Sequence, residues 1–440
     1  MAETGFAAVP DAPRYVIANA TIPGVLLEDS PVEPDAEGLC ALDLVVAGGR
    51  VERLTAADSV ADAPRLDLGG GMVWPAFVDM HTHIDKGHIW PRRPNPDGTF
   101  MGALDAVAAD RAANWSAEDV RRRMDFSLRT AYAHGTALLR THLDSVAPQH
   151  RISWPVFAEM RERWAGRIEL QAVSIVGIDE LRNQAYAEDL IATVAEHGGI
   201  LGAVTYMVPD LERLIEMMML RAANRGLDLD FHVDETGDPA AHSLRLIADT
   251  ALRTDFPGRI VAGHCCSLAV QPRDEAEATM ERVAEAGIAV VSLPMCNMYL
   301  QDRNAGRTPR WRGVTLIHEL MAHDVPVAVA SDNTRDPFYA YGDLDMLEVL
   351  REAVRIIHLD HPISSWASLV ARSPAAIVGA AADHGLIGEG RISNLVLFRA
   401  RSWTELLARP QSDRTVIRAG RAIDRTLPDY RELDDLVGVG

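Results

Sequence analysis

Lysine is almost missing from this chain. Of its 43 basic residues one is lysine, Lys86, and the others are arginine. Cysteine is scarce as well. Four cysteines in 440 residues, none in a CxxC pair, are too few for a disulfide framework or a cysteine zinc finger and fit a reducing cytoplasm. No apolar run approaches the roughly 20 residues a membrane span needs. The opening MAETGFAAVPDAPR has no basic segment followed by an apolar core, so no secretion signal is expected. Positive charge is in deficit: the net charge of −20 argues against nucleic-acid and anionic-membrane partners, which need clustered basic residues. The run Arg121-Arg122-Arg123 has acidic neighbours in a helical stretch and reads as a solvated helix face. With 48% apolar and 24% charged residues, the composition is that of a globular protein long enough for one large domain and one smaller one.

What is present is a rhythm. Eight apolar, β-rich runs occur at 72–83, 136–144, 168–177, 200–208, 227–235, 259–265, 288–295 and 325–333. Each is nearly continuous, as in a parallel strand buried on both faces. Amphipathic segments at 183–198, 209–225, 240–254 and 273–286 lie between them. Gly135, Gly199, Gly226 and Gly287 stand where helix C-caps belong. The pattern predicts an α/β fold, a (β/α)8 TIM-type barrel, with an open doubly wound sheet as the alternative. Both ends instead hold short strands and Gly-rich turns, which predicts a small β-sandwich domain built from residues 1–70 and 386–440 around a catalytic barrel at 71–385.

Barrel enzymes place their chemistry at the C-terminal ends of the strands. Here the first run ends in His81-Thr82-His83, the fifth in His232 with Glu235 just beyond, the sixth in His264 and the eighth in Asp332. Any one of these would be unremarked as a packed or capping residue. Together, imidazoles and a carboxylate form a set that suits Zn2+ or Fe2+. Residues i and i+2 of a strand face the same way, so His81 and His83 can grip one ion. Glu235 lies where it can move protons without being a ligand. His142, on the second run, is read as a structural or supporting residue, His88 as an exposed loop residue, and Cys265 and Cys266 as packing residues. Lys86 stands three residues after a candidate ligand and is expected at the pocket mouth, against the substrate or an acidic loop.

These segments resemble the amidohydrolase superfamily, and within it the cytosine deaminase group. PAFVDMHTHID is similar to that group's strand-one metal motif, PDGTF to the element that follows it, RTHLD to its strand-two motif and FHVDE to its His-x-x-Glu segment. The long stretch from PMCNMYLQDRNAG to SDNTRDPFYAYGD carries the group's Asn, Leu-Gln, Arg-Gly and Asp-Pro landmarks. The resemblance implies one divalent metal ion per chain, Zn2+ or Fe2+, held by His81, His83, His232 and Asp332, with Glu235, His264 and Asp332 handling protons. Binuclear relatives bridge two ions through a carboxylated lysine on strand four. Strand four here, ILGAVTYMV, has no lysine. By position, Asn333 and Phe338 would border the substrate.

Two departures bear on the substrate. The group's glutamine at the end of strand three is absent from AVSIVGID, and Asn333 replaces the second aspartate of the pair after strand eight. The expectation is therefore a cytoplasmic hydrolytic deaminase that releases ammonia from a small aminated heterocycle, a cytosine-related pyrimidine, triazine or pterin, with cytosine itself poor. Hydrolysis of a cyclic amide or of an alkylamine-substituted ring by the same machinery is the alternative, and homo-oligomerisation is left open.

Overall fold

The computed structural model describes residues 5–57, 59 and 63–438. The eight parallel strands are β1 (Phe77–Thr82), β2 (Thr136–Asp144), β3 (Glu169–Ile175), β4 (Val204–Thr205), β5 (Leu229–Val233), β6 (Ile260–His264), β7 (Ala289–Ser292) and β8 (Val327–Val329). β1, β2 and β3 pair in that order, and β4 to β8 pair in theirs. Single parallel bridges close the ring: Val173 to Ile200 and Gly177 to Val204 on one side, Thr82 to Asp332 on the other. A closed ring leaves no open edge, so the barrel holds and the doubly wound alternative does not. Strands β1, β2, β5, β6, β7 and β8 are buried at every position, which is why their sequences run apolar without alternation.

The helices fall where the amphipathic segments predict them, at Gln184–Glu196, Leu211–Arg225, Ser243–Thr254 and Arg273–Glu285. Gly135, Gly226 and Gly287 take positive φ at helix ends. Gly198 does so in place of Gly199, where a Cβ would collide with the Trp154 ring.

The first apolar run is two strands rather than one. Met72–Pro75 belongs to a separate eight-stranded sheet, where it pairs antiparallel with Leu395–Phe398, and the barrel begins only at Phe77. That sheet joins both ends of the chain. Arg14–Pro23 pairs with Leu39–Ala47, which pairs with Arg50–Ala56, while Leu395–Phe398 pairs with Thr415–Arg418. Tyr15, Ile17, Leu42, Leu44, Val73, Leu395 and Ile417, from five of its strands, share one core, so the sheet curls around it.

By contacts the chain divides into two compact units. One comprises Met1–Asp79, Arg129–Leu138 and Leu344–Pro428, the other Met80–Leu128, Leu139–Asp343 and Asp429–Gly440. Among the described residues no helix is long and apolar enough to cross a membrane.

The arginine run is not wholly a solvated face. Arg121 and Arg122 pair at the surface with Glu118, Glu159 and Asp435, but Arg123 is fully buried. Its guanidinium donates to Asp119 at 2.7 Å and to the backbone oxygens of Asp85 and Gly87, so it supports the loop after β1.

Candidate metal centre and active site

Strand β1 ends by zipping onto the chain that leaves β8. The Asp332 N–H donates to His81 O at 2.9 Å and the His83 N–H to Asp332 O at 3.2 Å. This pairing brings the Asp332 carboxylate to the two histidines: Oδ1 lies 3.2 Å from His83 Nε2 and 3.7 Å from His81 Nε2. From β5, His232 places its Nε2 3.2 Å from His81 Nε2 and 3.1 Å from His83 Nε2. Gly263 on β6 makes room, because a Cβ there would lie 2.9 Å from His81 Cε1.

Three imidazole nitrogens and a carboxylate oxygen thus form a ring, His81–His232–His83–Asp332, whose successive members lie 3.1–3.7 Å apart. Burial, then neighbouring imidazoles, hold His81 and His232 well below the usual histidine range; at His83 the Lys86 charge adds to burial. Neutral imidazoles are the form that binds metal. Neighbouring nitrogens of a tetrahedral site with Zn–N of about 2.0–2.1 Å are about 3.3 Å apart, close to the spacings found here. The donor set therefore fits a divalent ion. His142 is nearer this set than the sequence suggested. One of its nitrogens falls within 4.8 Å of a nitrogen of each of His81, His83 and His232, and its Nε2 is 3.3 Å from Asp230 Oδ1.

Beside this set, Glu235 and His264 meet. Asn297 Nδ2 donates to Glu235 Oε1 at 3.1 Å and lies 2.9 Å from His264 Nδ1, while Gln301 Nε2 donates to the Glu235 backbone oxygen at 3.1 Å. Burial, and after it the charge of Asp332, raise Glu235 well above the ordinary carboxylate range. Burial pushes His264 down to about 3. A neutral His264 that accepts from Asn297 at Nδ1 carries its proton on Nε2. That atom is buried and has no hydrogen-bond partner among the described residues, and His264 groups with His81 and Asp332. The arrangement offers a carboxyl whose burial favours its protonated form and an imidazole beside the candidate metal position.

Lys86 is inside the site, not at its mouth: it is 4% exposed, with its ammonium 4.6 Å from the centre of the Phe338 ring. Among the described residues it makes no hydrogen bond or ion pair. Phe338 also packs edge-on against Phe100 at 5.5 Å. Asn333 has both ends of its amide engaged by protein, Nδ2 donating to Asp336 Oδ2 at 2.7 Å and Oδ1 accepting from Cys296 Sγ at 3.5 Å. It therefore braces Asp336, whose carboxyl burial raises to about 6. His88, expected to be exposed, is 2% exposed and packs edge-on against Phe126 at 4.7 Å. Cys265 and Cys266 are buried packing residues with free thiols, as expected.

Asn297 and Asp230 escaped the sequence reading. Asn297 was visible only as a landmark of the PMCNMYL stretch. Asp230 stands two residues before His232, hence on the same side of β5, and takes Arg140 Nη1 at 2.9 Å on one oxygen while the other faces His142.

Comparison with known proteins agrees with this geometry. A family model described as "Amidohydrolase family" matches residues 66–155 and 161–424. The chain is 58% identical over 434 residues to a pterin deaminase of Rhizobium rhizogenes, covering 98% of this chain and 99% of that one. Among solved structures it is similar to a 5-methylcytosine deaminase of Klebsiella pneumoniae liganded with 5-fluorocytosine, with a TM-score of 0.80, 23% identity and coverage of 93% and 97% of the two chains. An N-isopropylammelide isopropylaminohydrolase of Burkholderia multivorans aligns with a TM-score of 0.73 at 23% identity, over 95% and 100% of the chains. At those identities the two structures speak for the fold alone. The family match and the long relative, laid over a barrel whose strand ends gather three histidines and an aspartate, carry one conclusion: the chain belongs to the amidohydrolase family.

Proposed function

We propose that the chain is a metal-dependent pterin deaminase, exchanging the exocyclic 2-amino group of a pterin for oxygen with release of ammonia. The observation that carries the substrate is the 58% identity to a pterin deaminase along almost the full length of both chains. We assign the chemistry to the barrel region at 71–385. His81, His83 and His232 through Nε2, with Asp332, would hold one Zn2+ or Fe2+ ion. Such an ion, when bound, lowers the pKa of water toward neutrality and supplies a nucleophile.

The remaining work falls to side chains. Asp332 takes the proton that the attacking water gives up. The His264 Nε2–H orients that water and stabilises the charge that develops on it. Glu235, kept protonated by burial and by Asp332, gives its proton to the ring nitrogen beside the attacked carbon. Its carboxylate then relays the proton of the added hydroxyl to the amine, which leaves as ammonia, and the proton held by Asp332 restores the Glu235 acid. One pterin and one water become one 2,4-dioxopteridine and one ammonia. Lys86 presents an unpaired ammonium from within the site, and we place it against the ring oxo group, where the cytosine deaminase group uses its strand-three glutamine. Phe338 offers a ring face beside it.

The test combines ammonia release over aminated heterocycles with elemental analysis. Pterin should be the best substrate. Cytosine should be lower by up to about 100-fold, the usual cost of an unmatched buried polar group. Purified protein should carry about one equivalent of Zn or Fe, as its ligand set predicts. Cytosine as the preferred substrate would overturn the recognition argument. Two equivalents, both needed for activity, would overturn the single-ion site. Silence across the panel together with turnover of a cyclic amide would replace deamination by ring opening.

A further inference from the structure

Two loops carry the groups placed against the substrate. His83–Asn95 holds Lys86, and Asp332–Asp343 holds Phe338. They are laced together: the His88 N–H donates to Thr334 O and the Trp90 N–H to Arg335 O, each at 2.9 Å, and Asn95 Nδ2 donates to Pro337 O at 3.0 Å. Their backbone is not relaxed. His88, Asp332 and Arg335 have φ of 66°, 66° and 48°, values that L side chains rarely adopt. Such residues persist only where their surroundings hold them.

Part of that hold comes from the far end of the chain. Asp429 closes a capping box on Tyr430–Leu433, and Asp434–Val437 follows as a helical turn. The Tyr430 ring stacks on Phe126 at 5.5 Å and 25°, lies under the Arg335 guanidinium at 3.9 Å and sits 6.2 Å from the His88 ring. Its hydroxyl donates to Asp343 Oδ1 at 3.0 Å. One side chain thus reaches both loops, at two of the three residues with left-handed backbone. The segment is itself anchored. Arg122 donates to both oxygens of Asp435, at 2.6 and 2.8 Å, and to Glu432 O at 2.7 Å. Arg92, in the first loop, donates to Leu436 O at 3.1 Å while its other nitrogens engage Asp110 and Asp119.

We infer that Asp429–Val437 is a strap that positions the two substrate-facing loops, with Tyr430 as its positioning residue. The inference rests on the deaminase reading for the statement that these loops face the substrate. The strap reaches the loops through His88, Arg92, Arg335 and Asp343 and not through the histidines that would hold the metal. Its loss therefore loosens ring binding and spares both the metal and the chemical step.

The experiment uses the full chain with Tyr430→Ala, Tyr430→Phe and Arg122→Gln, and reads pterin kinetics, metal content and amide hydrogen exchange. In Tyr430→Ala, KM should rise roughly 10-fold at nearly unchanged kcat, the mark of lost positioning rather than lost chemistry. Metal content should hold, and exchange should quicken in His83–Asn95 and Asp332–Asp343. Tyr430→Phe keeps the ring stack but gives up the hydroxyl's bond to Asp343, and should fall between the wild type and Tyr430→Ala. Arg122→Gln, at the surface, should move KM and exchange in the same direction by a smaller factor. Unchanged exchange in the two loops overturns the proposal, as does a fall in kcat or metal at constant KM, or a phenylalanine variant as impaired as the alanine one. Should Tyr430→Ala fail to fold, Arg122→Gln decides by the same criteria. If the wild-type enzyme leaves pterin untouched, the substrate reading fails, and the exchange data alone decide the strap.

Discussion

Glu235 owes its role to its position. It follows β5 by two residues, burial favours its protonated form, the Asp332 charge adds to that, and Asn297 fixes one oxygen at 3.1 Å. It sits beside the candidate metal ligands without joining their convergence. Glu235→Gln should therefore retain the metal and lose turnover by about 10²-fold or more, the range for a general acid–base. Metal content and single-turnover rates check this together; a variant that loses its metal would make Glu235 a ligand. Residue type made the ligand set legible in the sequence, because a His-x-His at one strand end and histidines and an aspartate at three others have few uses besides a metal. Asn297 was not legible in that way. Amides are common near strand ends, and what distinguishes this one is a pair of partners, Glu235 and His264, that only the closed barrel brings to it. His88 and Lys86 misled for a related reason. Polar residues in a loop read as solvated, yet this loop folds inward under the chain that leaves β8.

At the level of elements, the candidate metal position depends on the room that β6 leaves for the His81 side chain. Gly263 pairs with His232 and with Val291 in the ladder, and its missing side chain is the space that the His81 ring edge occupies. Gly263→Ala should displace that ring and lower metal affinity about 10–100-fold, as the loss of a ligand's support does. Competition with a chelator on a folded variant measures it, and an unchanged affinity would mean that the ring has slack to move. Seven of the eight barrel runs could be read from apolar continuity, since parallel strands buried on both faces show no alternation. The same continuity hid the break in the first run. Met72–Pro75 and Phe77–Thr82 are both buried throughout although they belong to different sheets, so nothing in their hydropathy marks the change. The arginine run was misread in part because helical periodicity turns Arg123 inward while Arg121 and Arg122 stay at the surface. No charge count separates the three.

On the scale of the whole chain, one compact unit is assembled from three separated segments, and arginines near its C-terminal end tie two of them, Arg129–Leu138 and Leu344–Pro428, together. Arg418 Nη2 donates to Thr136 O at 2.9 Å and Arg425 Nε to Ala133 O at 2.9 Å. Arg414 grips Asp345 with two nitrogens at 2.6 and 2.7 Å and donates to His134 O at 3.3 Å. Burial would raise Asp345, but the charges of Arg414 and His134 and the paired hydrogen bonds outweigh it and hold the carboxyl far below its usual range. A folded-state pKa below the unfolded value of about 3.9 contributes stability that is complete above about pH 5 and fades as pH falls toward the depressed value. Arg414→Met removes the cation and leaves a buried carboxylate unpaired, at a cost of about 3–5 kcal/mol near neutrality. Burial then dominates, the pKa of Asp345 climbs, and the variant relieves its penalty by binding a proton. Denaturation measured at a series of pH values should show the gap between wild type and Arg414→Met widest above about pH 5 and narrowing steadily on acidification. A gap that stays constant through this window would show that the pair contributes packing and not charge.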